Sequence, residues 1–205
     1  MTEGQSSHWQ NVYATKASNE VSWFEETPEL SLELIASAYA GRGGVIDIGG
    51  GASRLAGALV EAGCAPVAVL DLSANALGVA KARLGKVAES IEWIVADVTH
   101  WHPAQQYDVW HDRAAFHFLT APDQQNTYAA TLRKAIKPGG IAIIATFAPD
   151  GPERCSGLPV ARHDAASIAA ILGKGFDFVN ERRHGHATPS GSVQMFQYST
   201  FRRTT

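Results

Sequence analysis

Short apolar runs recur along this chain, each separated from the next by a segment of helical spacing, and this alternation limits the fold more than any other feature. "VIDI" (Val45 to Ile48), "PVAVLD" (Pro66 to Asp71), "IEWIVAD" (Ile91 to Asp97), "YDVWHD" (Tyr107 to Asp112) and "IAIIATF" (Ile141 to Phe147) read as buried strands. Between them, "ASRLAGALVEAG" is a helix closed by Gly63, "SANALGVAKARLG" a helix capped by Ser73 and stopped at Gly85, and Asp123 to Ala135 a third helix before the turn Lys137-Pro138-Gly139-Gly140. Parallel strands need crossover connections, so apolar strands that alternate with helices predict a parallel sheet covered on both faces. The fold class is α/β, a doubly wound sheet.

The ends of the chain depart from that rhythm. After a polar start, a helix is expected from Pro28 to Ala40, with Thr27 as N-cap, Pro28 in the first position and a stripe of Leu30, Leu34, Ile35 and Ala38. Near the C-terminus a helix from about Asp164 to Leu172 precedes "FDFVNERR" and "SVQMFQYSTFRR", which read as an antiparallel pair at the sheet edge. "APDGPERCSGLP" (Ala148 to Pro159) is a long irregular segment after a strand end, where open α/β sheets bind ligands. A chain of 205 residues with 45% hydrophobic and 18% charged residues suits one domain, with 1–40 as an N-terminal helical segment and 41–205 as the core.

Charge and cysteine content narrow the function classes. A net charge of -3 provides no basic field for nucleic-acid phosphates, and no apolar run reaches membrane-spanning length. Two cysteines, Cys64 and Cys155, form no disulfide framework or C-x-x-C motif, which fits a reducing cytoplasmic setting. No signal peptide is expected in "MTEGQSSHWQ". The expected partner is therefore a small molecule, with a protein substrate as the alternative and neither nucleic acid nor membrane involved.

Three features point to a nucleoside pocket. Gly49, Gly50 and Gly51 lie between the first strand and its helix, where glycines let the backbone turn sharply and approach a ligand. The dinucleotide fingerprint would place Arg54 at its third glycine, which disfavours a nicotinamide or flavin, and no P-loop lysine follows. Asp71 ends the second strand, where a carboxylate can accept from both ribose hydroxyls. Asp97 ends the third, where it can accept from an adenine amine while the Val98 amide donates to a ring nitrogen.

In "DVWHDRAAFHFL", His111, Asp112 and His117 suggest either a metal site or proton chemistry. Adjacent strand residues point to opposite faces, so His111 and Asp112 are poorly placed to share a metal, and no metal is expected. They remain the candidate catalytic group, with His117 as a possible acceptor-site base because histidine titrates near neutral pH.

Together these motifs resemble class I S-adenosylmethionine-dependent methyltransferases from Val45 to about Thr146: "VIDIGGGAS", "VLDLS", "VADVT", "YDVWHDRAAFHFL" and "LRKAIKPGGIAIIATF" follow the family's order. The resemblance implies a seven-stranded sheet of order 3-2-1-4-5-7-6, mostly parallel, with strand 7 antiparallel. It implies S-adenosylmethionine as cofactor and S-adenosylhomocysteine as product. Gly49 to Gly51 would line the methionyl and ribose side, Asp71 with Leu72 the ribose, Asp97 with Val98 the adenine, and Asp47 and His111 the amino-acid end. The N-terminal segment resembles a leader that closes over the cofactor, bringing Trp9 and Tyr13 with Trp23 and Phe24 as a lid, since aromatic faces suit a sulfonium or an adenine. "CSGLPV" and "HGHATPSG" resemble tellurite-resistance and thiopurine methyltransferases, which implies a thiol or metalloid acceptor. "HDRAAFHFL" also resembles protein lysine methyltransferases, and a non-catalytic S-adenosylmethionine-binding module is a third reading.

Overall fold

The parallel strands form because their residues are apolar on both sides. In the computed structural model, which describes residues 3–41 and 43–205, β1 (Val45–Ile48) and β2 (Val67–Asp71) are buried at every position. They are joined by α3 (Leu55–Glu61), and β2 leads through α4 (Ala74–Leu84) to β3 (Ile91–Val95). β4 (Tyr107–Arg113), α5 (Pro122–Ala135) and β5 (Ile136–Phe147) continue the alternation. Two helices precede it, α1 (Glu3–Thr15) and α2 (Glu29–Ala38), and a small hairpin, β6 (Arg154–Cys155) with β7 (Leu158–Pro159), follows β5. The chain ends with α6 (Ala165–Leu172), β8 (Phe176–Ala187) and β9 (Val193–Arg203).

The main sheet has the order β3-β2-β1-β4-β5-β9-β8. The first five strands run parallel, while β9 is antiparallel to β5 and β8 antiparallel to β9. This is the expected seven-stranded arrangement with its antiparallel C-terminal pair. The two-residue period of a strand divides the core between the two faces. Val45, Val67, Val69, Val109 and Ile143 pack with Ile35 and Leu55 on one side. Ile46, Ile48, Leu70, Trp110 and Ile144 pack with Tyr128, Leu132 and Ile168 on the other.

Several local expectations change. Pro28, rather than Thr27, occupies the cap position of α2, with no side-chain cap, and Glu29 is the first helical residue. The expected turn at Lys137 to Gly140 is absorbed into β5 as an irregularity, since Ile136 pairs with Tyr107 and Ile141 with Val109. The polar start forms α1. It lacks a marked apolar stripe and is held by its docking: Gln10 Oε1 accepts from Ser73 Oγ and the Asn75 N–H, both at 3.1 Å, and Asn75 Nδ2 donates back to the Gln10 carbonyl at 3.0 Å. Ser73, the N-cap of α4, thereby joins the N-terminal helix to the end of β2. Among the described residues no helix is long and apolar enough to cross a membrane.

Candidate active site

The carboxyl ends of β1, β2 and β4 surround a cleft with about 650 Å³ of empty space. Its floor and walls include Ile48, Gly49, Leu70, Asp71, Leu72, Ala96 and Val98. Trp9, Tyr13 and Trp23 come from the N-terminal segment, and Arg113, Phe118 and Cys155 from the β4 and β5 side. A second compartment shares Tyr13, Trp23, Gly49 and Arg113 and adds Glu25, Ser31, Asp47, Gly50, Arg54 and His111. Most of the residues expected at a cofactor site thus line these two neighbouring compartments.

The glycine turn needs its glycines for two different reasons. Gly49 and Gly51 have φ of 66° and 47°, in the left-handed region that penalises a Cβ. A Cβ on Gly50 would lie 2.4 Å from Asp47 Oδ2 and 2.8 Å from Val69 Cγ1. The turn is tied down by the Gly49 N–H donating to the Leu70 carbonyl at 2.7 Å, and by Arg83, whose Nη1 donates to the Ala52 carbonyl at 2.8 Å. Gly50→Ala is expected to destabilise the fold by about 1–3 kcal/mol through overpacking, read as a lower urea midpoint with an unchanged slope.

Asp71 is the buried acid of the cleft. It accepts from the Ser73 N–H at 2.7 Å, and the Gly51 and Leu72 N–H groups also support its charge. Burial outweighs that support, and with a further push from Asp47 it raises the carboxyl to about 7. The Tyr13 hydroxyl, which accepts from Trp23 Nε1 at 3.1 Å, faces Gly51 beside Asp71. Burial and the Asp71 charge keep that phenol above its ordinary range. Trp9 meets Trp23 and Phe118 edge to face, at centroid distances of 5.5 and 5.0 Å, which completes an aromatic roof. Phe24 lies in the second compartment, beneath the Arg54 guanidinium.

Asp97 is engaged by its own turn. Its Oδ1 accepts from the Thr99 N–H at 2.8 Å and hydroxyl at 2.7 Å, and Oδ2 is 3.2 Å from His100 Nδ1. The carboxylate therefore braces its own turn, and it is Ala96 and Val98 on either side that line the cleft.

The three residues expected to act in catalysis are not brought together. His111 and Asp112 do point to opposite faces of the sheet. His111 Nδ1 is 2.7 Å from Asp47 Oδ1 and Nε2 is 2.9 Å from Ser31 Oγ, so both ring nitrogens are engaged. Asp112 Oδ1 accepts from the Ala115 and Phe116 N–H groups at 2.9 and 3.1 Å, and Oδ2 from the Tyr128 hydroxyl at 2.7 Å. Burial raises its carboxyl to about 6, with these donors pulling in the other direction. It caps the turn after β4. His117 is fully buried between Phe118 and Phe147, with no hydrogen bond at either nitrogen. Burial, then the nearby His163 and Arg113 charges, lower its pKa to about 3, so the ring is neutral at neutral pH.

Arg113, which sequence reasoning missed, follows from the same period-2 rule that places it on the His111 face. Its Nε donates to the Tyr198 hydroxyl at 3.1 Å, Nη1 to the Trp23 carbonyl at 3.0 Å, and Nη2 lies 3.0 Å from Glu25 Oε1. One side chain thus fastens the strap of residues 21–25 over the cleft. Burial opposes the charge on Glu25, but His186 and Arg113 outweigh it and hold its carboxyl below the ordinary value.

A family model described as a methyltransferase domain matches residues 45–140, the stretch containing the glycine turn, Asp71, Asp97 and β4. Residues 45–140 thus resemble a methyltransferase domain. Solved structures share the fold of this domain. One is a protein solved in work on conversion of a disulfide bond into a thioacetal group during echinomycin biosynthesis (19% identity over 98% of this chain and 92% of that one, TM-score 0.80). Another is the N-methyltransferase NodS from Bradyrhizobium japonicum WM9, in complex with S-adenosyl-L-homocysteine (17% identity, 95% and 97% covered, TM-score 0.72). A third is the 1,6-didemethyltoxoflavin-N1-methyltransferase of Burkholderia thailandensis, with its acceptor and S-adenosylhomocysteine bound (22% identity, 98% and 85% covered, TM-score 0.69). No curated protein matches this sequence. Ser31, Arg83 and Arg113, which the sequence did not single out, all act through tertiary contacts, which leave no local signal in sequence.

Proposed function

We propose that the domain transfers the methyl group of S-adenosylmethionine to a small-molecule acceptor, a thiol or a metalloid species. The observation that carries this reading is the single roofed cleft that joins a buried, uncompensated Asp71 to an aromatic chamber beside Arg113 and Cys155. The residues fit the cofactor: a buried carboxylate with spare acceptor capacity suits a ribose diol, and the glycine cradle allows close backbone approach. When bound, S-adenosylmethionine supplies an activated methyl on a sulfonium, so the protein's task is to orient and to exclude water.

On this reading Gly49, Gly50 and Gly51 shape the methionyl side, and Asp47 with His111 sets its amino-acid end. Asp71 and Leu72 hold the ribose. Ala96 and Val98 flank the adenine, with the Val98 N–H and Asp97 at its edge. Trp9, Tyr13 and Trp23 roof the site and offer π faces to a cation. Asp112 supports the β4 turn and His117 the packing behind Phe118.

The acceptor class follows from the protonation of the chamber. Burial pushes the Cys155 thiol up to about 12, Tyr13 is held protonated, and His111 has no free nitrogen. A nucleophile that arrives already deprotonated, such as a thiolate or a metalloid oxyanion, needs no base from the protein. Labelled methyl transfer to a panel of thiols, metalloid oxyanions, amines and protein lysates tests this. Turnover of thiols or metalloids is expected, with the pH break in kcat/KM moving with the acceptor's own pKa. Transfer confined to protein lysine would refute it.

The Asp71 carboxyl gives a separate pH dependence. Ribose hydroxyls donate to the ionised form, so binding favours loss of its proton, and affinity for S-adenosylhomocysteine should drop up to about tenfold per pH unit below about 7 and level off above it. For the ligand-free fold the sign is opposite: a pKa raised by folding costs stability as pH rises from about 4 towards 7. Calorimetric titration from pH 5.5 to 8 reads the binding term, and Asp71→Asn should flatten it.

A further inference from the structure

His111 is held at its two ring nitrogens by different elements, Asp47 on β1 and Ser31 in the first turn of α2. All three residues are buried, with exposures of 3% or less. An Nδ1–H that donates to the Asp47 carboxyl leaves Nε2 facing the Ser31 hydroxyl. Ser31 also stands beside the Tyr198 hydroxyl on β9. The Tyr198 oxygen in turn accepts from Arg113 Nε at 3.1 Å. Arg113, Tyr198, Ser31, His111 and Asp47 thus stand in one row from the strap to the end of β1.

The other end of this row grips the strap. Arg113 donates to the Trp23 carbonyl and pairs with Glu25, while His186 Nε2 donates to the Ser22 carbonyl at 2.8 Å. The strap leads directly into α2, so the backbone that carries Ser31 is the continuation of the segment that covers the cleft. Trp23, from the strap, lines both compartments.

We propose that Ser31 is a positioning residue that couples the setting of the Asp47 carboxylate, through His111, to closure of the strap over the cofactor cleft. This rests on the reading that the cleft binds S-adenosylmethionine with its amino-acid end towards Asp47. Without the Ser31 hydroxyl, the His111 ring is held at one nitrogen only, and the donor it aims at Asp47 is less firmly directed. Closure of the strap then no longer reports to the cofactor end.

Three readouts test the proposal on the full-length protein: calorimetric titration with S-adenosylhomocysteine, ¹⁵N spectra of the histidine rings, and amide hydrogen exchange across residues 16–28. Ser31→Ala is expected to bind S-adenosylhomocysteine about tenfold more weakly, a loss in keeping with one buried hydrogen bond. It should also shift the His111 ring signals and abolish the ligand-induced slowing of exchange in the strap, and Ser31→Thr should restore all three. Tyr198→Phe, which keeps the Ser31 and His111 pair, should preserve the His111 signals while the strap loses its ligand-dependent protection. A Ser31→Ala protein with the parent affinity and unchanged His111 signals would overturn the proposal. Failure of the unmodified protein to bind S-adenosylhomocysteine would instead remove the cofactor reading itself, and the coupling with it.

Discussion

Asp71→Ala lowers affinity for S-adenosylhomocysteine by roughly 10- to 150-fold, the equivalent of about 1.5–3 kcal/mol for hydrogen bonds to a charged acceptor. The effect is expected to be large because the carboxylate is buried, held in place by backbone N–H groups and left without a cation among its supporting contacts. Its spare lone pairs are available to the ligand, and the donors that orient it are already committed. The variant should fold, since Ser73 still caps α4 and Gln10 still fastens α1 to that cap. Calorimetry of the folded variant reads the loss, and an unchanged affinity would take the ribose away from Asp71.

The second large effect falls on stability. Asp112→Ala is expected to cost about 3–4 kcal/mol, because it strands the Tyr128 hydroxyl and the Ala115 and Phe116 N–H groups inside the fold. Trp110 Nε1 also donates to Tyr128, at 2.8 Å, so the disturbance reaches the large aromatic centre of that face. For a domain of this size the melting temperature should fall by about 10 °C. Asp112→Asn keeps an acceptor for the two N–H groups and should lose about half as much. Cofactor affinity of the folded fraction should stay near the parent value in both. A selective loss of turnover at full stability would return Asp112 to the chemistry.

These two aspartates also show how far the sequence could be read. Asp71 and the three glycines were legible because their meaning is local: a strand end and a tight turn impose the same geometry in any doubly wound sheet. The opposite facing of His111 and Asp112 was legible for the same reason, from the two-residue period of a strand. Their partners were not. Ser31 lies 80 residues from His111 and Tyr128 lies 16 from Asp112, and only tertiary packing brings them into contact. His117 has the residue type of a neutral-pH base, yet its burial decides its proton affinity, and burial at a short helical turn carries no periodic signal. The helix α1 was missed because its polar residues give no amphipathic stripe; contacts of Trp9, Gln10 and Tyr13 with the rest of the molecule hold it.

The central claim is that the roofed cleft above β1, β2 and β4 binds S-adenosylmethionine. A thermal shift with S-adenosylmethionine, S-adenosylhomocysteine and NAD, each in large excess, tests it most directly. At about 100 times Kd a ligand stabilises by roughly 2.7 kcal/mol, so both adenosyl ligands should raise the melting temperature by about 5–10 °C while NAD leaves it in place. A shift with NAD and none with either adenosyl ligand would contradict the account.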